Sequence, residues 1–358
     1  RRSGGGAGQD GERSQVSHES PELLTAWADG SWAGRGLCGV ATNMLDNNDQ
    51  GMQTFCSLGF DFWWNWNPEP RGTYTAPCAM QTFVPMIWGI GKYAQDNAVI
   101  ARTVAGQHVA LMGYNEPDLW GPPAVPGGET LSSGTFPQNF RCGDPVLAKN
   151  WQGIAMEFKR VNPNGALISP AMADPSGTAS TGSFAECIAT PQLPGNHQRF
   201  CLGWMKCFKE NVIKLNCGAF NCWDIIDVLQ FHAYEYRSEA LIGKVKNWER
   251  FWQEDLHGAV GRKRKTLWIT EMAHAGTSDH SDPDGQARAF MTASVAYLKA
   301  SPYVSGWSWF AQSSDTFKSF VIDGRAPQTP FWASDIIDAS GRPTAIGAAY
   351  SELCRGVE

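Results

Sequence analysis

Two apolar runs in this 358-residue chain stop abruptly on a carboxylate. One reads Leu111-Met112-Gly113-Tyr114-Asn115-Glu116-Pro117-Asp118 and the other Leu267-Trp268-Ile269-Thr270-Glu271-Met272. A lone Glu after a strand is ordinarily solvated or caps the next helix. Two of them facing one another have a distinct chemistry, because one carboxyl can be held protonated as an acid while the other stays ionised as a base or nucleophile. Pro117 biases Glu116 toward an extended backbone, which would project the carboxylate beyond the end of its strand. Asn115 offers an amide to a substrate hydroxyl, and it serves equally well as a turn former.

The elements that must carry this pair follow from the apolar pattern. Eight runs rich in apolar and aromatic residues recur, at 36–40, 60–66, 82–88, 109–114, 166–170, 225–232, 266–270 and 304–310. Several are almost continuously apolar, as strands covered on both faces must be. Between them, 96–105, 148–161 and 287–299 place apolar residues at helical spacing. Eight alternating units of this kind predict an α/β fold, a (β/α)8 TIM barrel, with Glu116 closing the fourth strand and Glu271 the seventh. The stretches after the fourth and fifth strands, 121–144 and 174–223, are too long for a helix and a tight turn. They are expected to form extended loops that wall a cleft on the C-terminal face, with the second rich in Cys. Residues 1–30 read as a mobile leader and 31–358 as a single domain. The leader's Gly6-Ala7-Gly8-Gln9-Asp10-Gly11 matches a dinucleotide fingerprint only formally, since no strand precedes it and no amphipathic helix follows.

Composition narrows the partners. With 29 Lys and Arg against 35 Asp and Glu, the net charge is -6, which disfavours a nucleic acid. No run reaches the roughly 18 to 20 apolar residues of a membrane span. Ten cysteines are expected to pair into five disulfides in an oxidising, extracellular setting, and the absence of an apolar signal segment after Arg1 fits a mature or a trimmed chain better than a cytosolic one. Cysteine spacing does not suit zinc, so no metal is expected. Glu271-x-x-His274 has di-iron spacing but lies at a strand end and is not repeated on other helices. The basic run Gly261-Arg262-Lys263-Arg264-Lys265 reads as a solvated loop.

Further motifs accompany the two glutamates in order: Phe62-Trp63-Trp64-Asn65-Trp66, Phe83-Val84-Pro85-Met86-Ile87-Trp88-Gly89, His232-Ala233-Tyr234, Trp268-Ile269-Thr270-Glu271-Met272-Ala273 and Trp307-Ser308-Trp309-Phe310. Together with Gly113-Tyr114-Asn115-Glu116-Pro117-Asp118 they resemble glycoside hydrolase family 128, mostly fungal endo-β-1,3-glucanases also described as the glycosyl hydrolase catalytic core domain. The resemblance runs from about residue 36 to 351. It implies a retaining enzyme with its acid/base on the fourth strand and its nucleophile on the seventh, acting on β-1,3-glucan without a cofactor.

The residues support that chemistry independently. Cleaving a glycosidic bond requires one carboxylic acid to protonate the leaving oxygen and one carboxylate facing the anomeric carbon. Glu116 is expected as acid/base and Glu271 as nucleophile. Asn115, Asn65, Tyr234 and His232 are expected to bind substrate, His232 alternatively tuning Glu271. Of the aromatic residues near strand ends, Trp64, Trp88 and Trp309 are expected as sugar-stacking surfaces, although packing accounts for about half of such a set. The expected protein is a secreted monomer. Alternatives are a non-catalytic β-glucan-binding protein on the same barrel, or a clan-related hydrolase of another β-glycan.

Overall fold

The computed structural model describes residues 36–43, 45–90, 95–117, 145–173, 187–189, 199–201, 203–258, 264–275, 282–310, 335–338 and 340–356. The expected leader, the 121–144 loop, residues 174–186, 190–198 and 202 of the Cys-rich insertion and residues 261–263 of the basic run lie outside these residues.

A curled parallel sheet of seven strands forms the centre: β1 Leu37–Ala41, β2 Phe62–Trp64, β3 Ala110–Met112, β4 Ala166–Met172, β5 Val228–Glu235, β6 Thr266–His274 and β7 Val304–Phe310. Their order is β2-β1-β7-β6-β5-β4-β3. Seven of the eight expected runs are therefore strands, and they are buried because helices cover the sheet.

The remaining run, 82–88, departs from the expectation of a regular strand. It makes isolated parallel bridges, Trp63 with Phe83 on one side and Met86 with Met112 on the other. Pro85 explains the interruption, since it has no N–H to donate to a ladder. Its carbonyl still accepts from Met112 N at 2.9 Å, while Val84 N donates to Trp63 O at 2.9 Å. The segment thus hydrogen-bonds to both edge strands of the sheet.

Helices return the chain between strands: α1 Asp49–Leu58, α2 Asn97–Ala105, α3 Pro145–Val161, α4 Gly203–Val212, α5 Ser238–Phe251, α6 Pro283–Ala300 and α7 Ala345–Arg355. Their starts are set by side chains that satisfy exposed N–H groups, with Asn48, Asp96, Asp282 and Thr344 accepting from the first turns of α1, α2, α6 and α7. Among the described residues no helix is long and apolar enough to cross a membrane.

Covalent links fix the periphery. Cys38 of β1 bonds Cys354 of α7, Cys56 of α1 bonds Cys78, and Cys217 bonds Cys222 across a small hairpin. Cys207 is also disulfide-bonded. No described cysteine is free. Tyr350 reinforces the first link by donating its hydroxyl to Gly39 O at 2.9 Å.

At the N-terminal ends of the strands lies a buried ionic layer. Lys159 pairs with Asp227 at 2.6 Å, and Lys209 pairs with Asp255 at 2.8 Å. Lys265 differs from the solvated residue expected of its basic run. It is buried, its ammonium donates to the carbonyls of Trp223 and Ile226 at 2.8 and 2.7 Å, and burial pushes its pKa down to about 8. Two inward carbonyls hold it where charge patterning alone suggests open solvent.

Candidate active site

The opposite, C-terminal ends of the strands assemble the two glutamates. Strands β5 and β6 run in register until Ile269 pairs with Phe231, and then Glu271 pairs with His232. One residue, Thr270, is therefore extra on β6. This bulge is stabilised where Ser308 of β7 donates its hydroxyl to the Thr270 carbonyl. Bulges re-aim side chains beside functional sites. Here the bulge sets Glu271 beside His232.

Glu271 is 4% exposed and accepts from two donors. The Trp66 indole N–H reaches Oε1 at 2.7 Å, and the Tyr234 hydroxyl donates to Oε2. His232, fully buried, places Nδ1 at 2.8 Å from Glu116 Oε1 and 3.3 Å from Glu271 Oε2. One donor atom from each of Glu116, His232 and Glu271 lies within 4.8 Å of the others, a spacing that would also suit a metal ion. Glu116 is the more open of the two acids, its side chain 22% exposed against 5% for Glu271.

Electrostatics follow from this geometry. Burial pushes the Glu271 carboxyl up to about 7, and the Glu116 charge adds to the rise. His232, Tyr234 and Trp66 oppose it by favouring the ionised form. Burial and the two carboxylates raise the Tyr234 phenol well above its usual value, so it remains a donor.

Two of these residues sit on strained backbone. Among described residues other than glycine, only Asn47, Trp66 and Glu116 have positive φ, at 55°, 61° and 45°. Glu116 therefore adopts a left-handed conformation and not the extended one expected before Pro117. Tertiary ties outweigh the local bias: Asn115 bridges Ala171, its N–H bonds Trp88 O at 2.9 Å, and the Glu116 carboxylate meets His232. Strain of this kind costs of order 1–3 kcal/mol and persists where surrounding structure enforces it.

The other expected site residues divide. Tyr234 and His232 touch the carboxylates directly. Asn115 is buried, and its Oδ1 has no hydrogen-bond partner among the described residues. Trp64 is fully buried beneath the site, its N–H bonded to Ser308 Oγ at 3.1 Å and its ring 4.8 Å from that of Trp66. It supports Trp66 where a sugar-stacking surface was expected. Asn65 is buried and bonds Asp46 Oδ1 at 2.7 Å, which occupies its amide in holding the loop after β2. Trp88 is buried at the end of the bridging segment, its carbonyl serving Asn115.

Trp309 is fully buried against Phe290 of α6 and Tyr350 of α7, on the helix-covered side of the sheet. Side chains alternate along a strand, so its neighbour Phe310 takes the other side. Phe310 packs against Trp66 and Tyr234, with ring centroids at 5.7 and 5.3 Å. The sequence reading chose Trp64 over Trp66, and it chose Trp309 without considering Phe310. The small Ser308, one residue from Trp309, signals which phase of β7 faces the crowded interior.

The sequence matches the family model described as glycosyl hydrolase catalytic core over residues 39–350. The chain belongs to the glycosyl hydrolase catalytic core family. No curated protein matches it in sequence. Solved structures share its fold at low identity. A GH128 subgroup II endo-β-1,3-glucanase from Sorangium cellulosum aligns with a TM-score of 0.55 and 17% identity, covering 88% of this chain and 98% of that one. A subgroup V exo-β-1,3-glucanase from Cryptococcus neoformans gives 0.54 and 16%, covering 89% and 99%. A subgroup VII oligosaccharide-binding protein from the same organism gives 0.53 and 16%, covering 91% and 96%. The family likeness drawn from the ordered motifs is thus borne out. The neighbours include enzymes and a binding protein, so fold alone does not choose between them.

Proposed function

We propose that this family member is a secreted, monomeric, retaining endo-β-1,3-glucanase, a single catalytic domain over 31–358 built as a (β/α)8 barrel with 82–88 as its eighth stave. The observation that carries the reading is the grip on Glu271, whose carboxylate is held by the Trp66 N–H and the Tyr234 O–H while Glu116 lies within 4.8 Å. Nearest ligand atoms this close are in keeping with double displacement, since retaining enzymes place their carboxyls about 5–5.5 Å apart and inverting ones about 6.5–9.5 Å, with room for a water.

The asymmetry of the pair supports the division of roles. A nucleophile must present a fixed, desolvated oxygen, and Glu271 is buried and doubly held. An acid/base must exchange protons with water, and Glu116 is the more open. In the first step Glu116 gives its proton to the leaving glycosidic oxygen as a Glu271 oxygen bonds the anomeric carbon and the C–O bond breaks. In the second, Glu116 takes a proton from water, whose oxygen attacks the same carbon and releases Glu271. His232 orients Glu116 through Nδ1. The buried, unpartnered Asn115 Oδ1 suits acceptance from the sugar 2-OH. Extracellular location is in keeping with the disulfides.

The β-1,3 linkage and internal cleavage rest on the family resemblance and on the kinds of protein that share the fold. Reducing-sugar release from laminarin, a β-1,4-glucan and a β-1,6-glucan tests them. Rapid release of mixed-length oligosaccharides from laminarin is expected. Glucose alone would make the enzyme exo-acting, and binding without release would make the protein an oligosaccharide receptor.

A further inference from the structure

Glu116, His232 and Glu271 offer two carboxylates and an imidazole from three different segments, converging on one point. The imidazole Nδ1 lies 2.8 and 3.3 Å from the nearest oxygens of the two acids. A tetrahedral zinc ion with bonds of about 2.0–2.2 Å separates its ligand atoms by roughly 3.3–3.5 Å. The His232 distances already lie near that spacing. The carboxylate ligand atoms lie within 4.8 Å of one another, so at most a small closure separates them from it. Glu116 can supply the movement, because its side chain is partly exposed whereas Glu271 and His232 are buried. The Tyr234 and Trp66 donors already orient Glu271, as groups beyond the metal orient its ligands in built sites.

We propose that this triad is an inhibitory binding site for a borderline divalent transition ion, with Zn2+ as the model ligand, held by one oxygen each of Glu116 and Glu271 and by His232 Nδ1. Calcium and magnesium are excluded by chemistry, because they require six or more ligands, nearly all oxygen. Two carboxylates neutralise the ion's charge, and the fourth position is left to water. The binding claim rests on the geometry of the triad alone. The inhibitory consequence rests on the proposed hydrolase reading, since the ion would take the acid/base lone pair and the nucleophile together.

Calorimetric titration of the full chain with zinc chloride in a non-chelating buffer tests the binding. One equivalent is expected to bind, with Ca2+ giving no heat under the same conditions. Glu116→Gln and Glu271→Gln should each weaken zinc binding at least about tenfold, the loss seen even for groups beyond the metal. His232→Gln should do the same. Because His232 is buried and its variant is the most prone to misfold, the two glutamine variants, checked by near-ultraviolet circular dichroism, carry the decision. Absence of binding at millimolar zinc, or wild-type affinity in both glutamine variants, overturns the site. This holds whether or not the chain cleaves glucan. In a protein that does cleave laminarin, zinc should abolish turnover and EDTA restore it, and full turnover with the site zinc-loaded would overturn the inhibitory role.

Discussion

Trp66 and Glu271 stand 205 positions apart in sequence, yet the Trp66 indole N–H donates to Glu271 Oε1 at 2.7 Å from a backbone turned to φ 61°. A large side chain rarely adopts that conformation, and here it turns the indole back onto the buried carboxylate. Trp64 and Phe310 pack against the same ring and hold it there. The hydrogen bond favours the ionised carboxylate, so its loss has a predictable sign.

Trp66→Phe should lower kcat/KM for laminarin about ten- to hundredfold, since a hydrogen bond to a charged group contributes about 1.5–3 kcal/mol. The Glu271 pKa should rise as the donor is lost, moving the acid limb of the pH–rate profile upward. A lower kcat/KM with an unmoved limb would assign Trp66 to packing alone.

The pKa of Glu271 predicts opposite pH dependences for activity and stability. Activity requires the ionised nucleophile and should rise as pH passes through about 7. Stability runs the other way. The folded carboxyl keeps its proton up to about 7, whereas the unfolded one loses it near 4.5, so the stabilising proton is fully present below 4.5 and its contribution is lost as pH rises through 7. Thermal unfolding at pH 5 and pH 8 should show a larger drop for the wild type than for Glu271→Gln. Equal drops would contradict the shift.

Much of the site could be read from the chain because each glutamate ends an apolar run, and strand ends on the C-terminal side converge. The phase of the aromatic residues was harder to read. Trp309 and Phe310 are adjacent, and only the period-two alternation with Ser308 separates the helix side from the site side. No local signal marks Trp66 for positive φ, since that conformation is imposed by tertiary packing. The interruption at Pro85 was not anticipated, because the apolar run around it reads as a regular strand, and Pro117 pointed toward an extended Glu116 that the pairings of Asn115 overrule. The bulge at Thr270, which sets Glu271 beside His232, emerges only when three strands are laid side by side.

Gly113→Ala should disturb the site through the backbone. A Cβ there would lie 2.8 Å from both Pro170 N and the Trp151 ring, two residues before Asn115. Overpacking of this kind costs about 1–3 kcal/mol, so a lower melting temperature is expected together with reduced kcat. Unchanged values of both would show that β3 and β4 separate without consequence.

Ten cysteines should be paired as five disulfides. Intact mass should rise by about ten hydrogens on reduction, two for each bridge. Replacing Cys38 and Cys354 with Ala should cost about 2–5 kcal/mol, as loss of native bridges does. Thiols that alkylate in denaturant without reduction would contradict full pairing.

The central claim is that Glu271 attacks the anomeric carbon and Glu116 serves as acid and then base. Proton NMR of laminarin hydrolysis, recorded before the products mutarotate, tests it most directly. The account predicts that new reducing ends appear first as the β-anomer, and that this signal vanishes in Glu271→Ala while added azide restores slow turnover. Initial appearance of the α-anomer, or near-wild-type hydrolysis by Glu271→Ala, would contradict it.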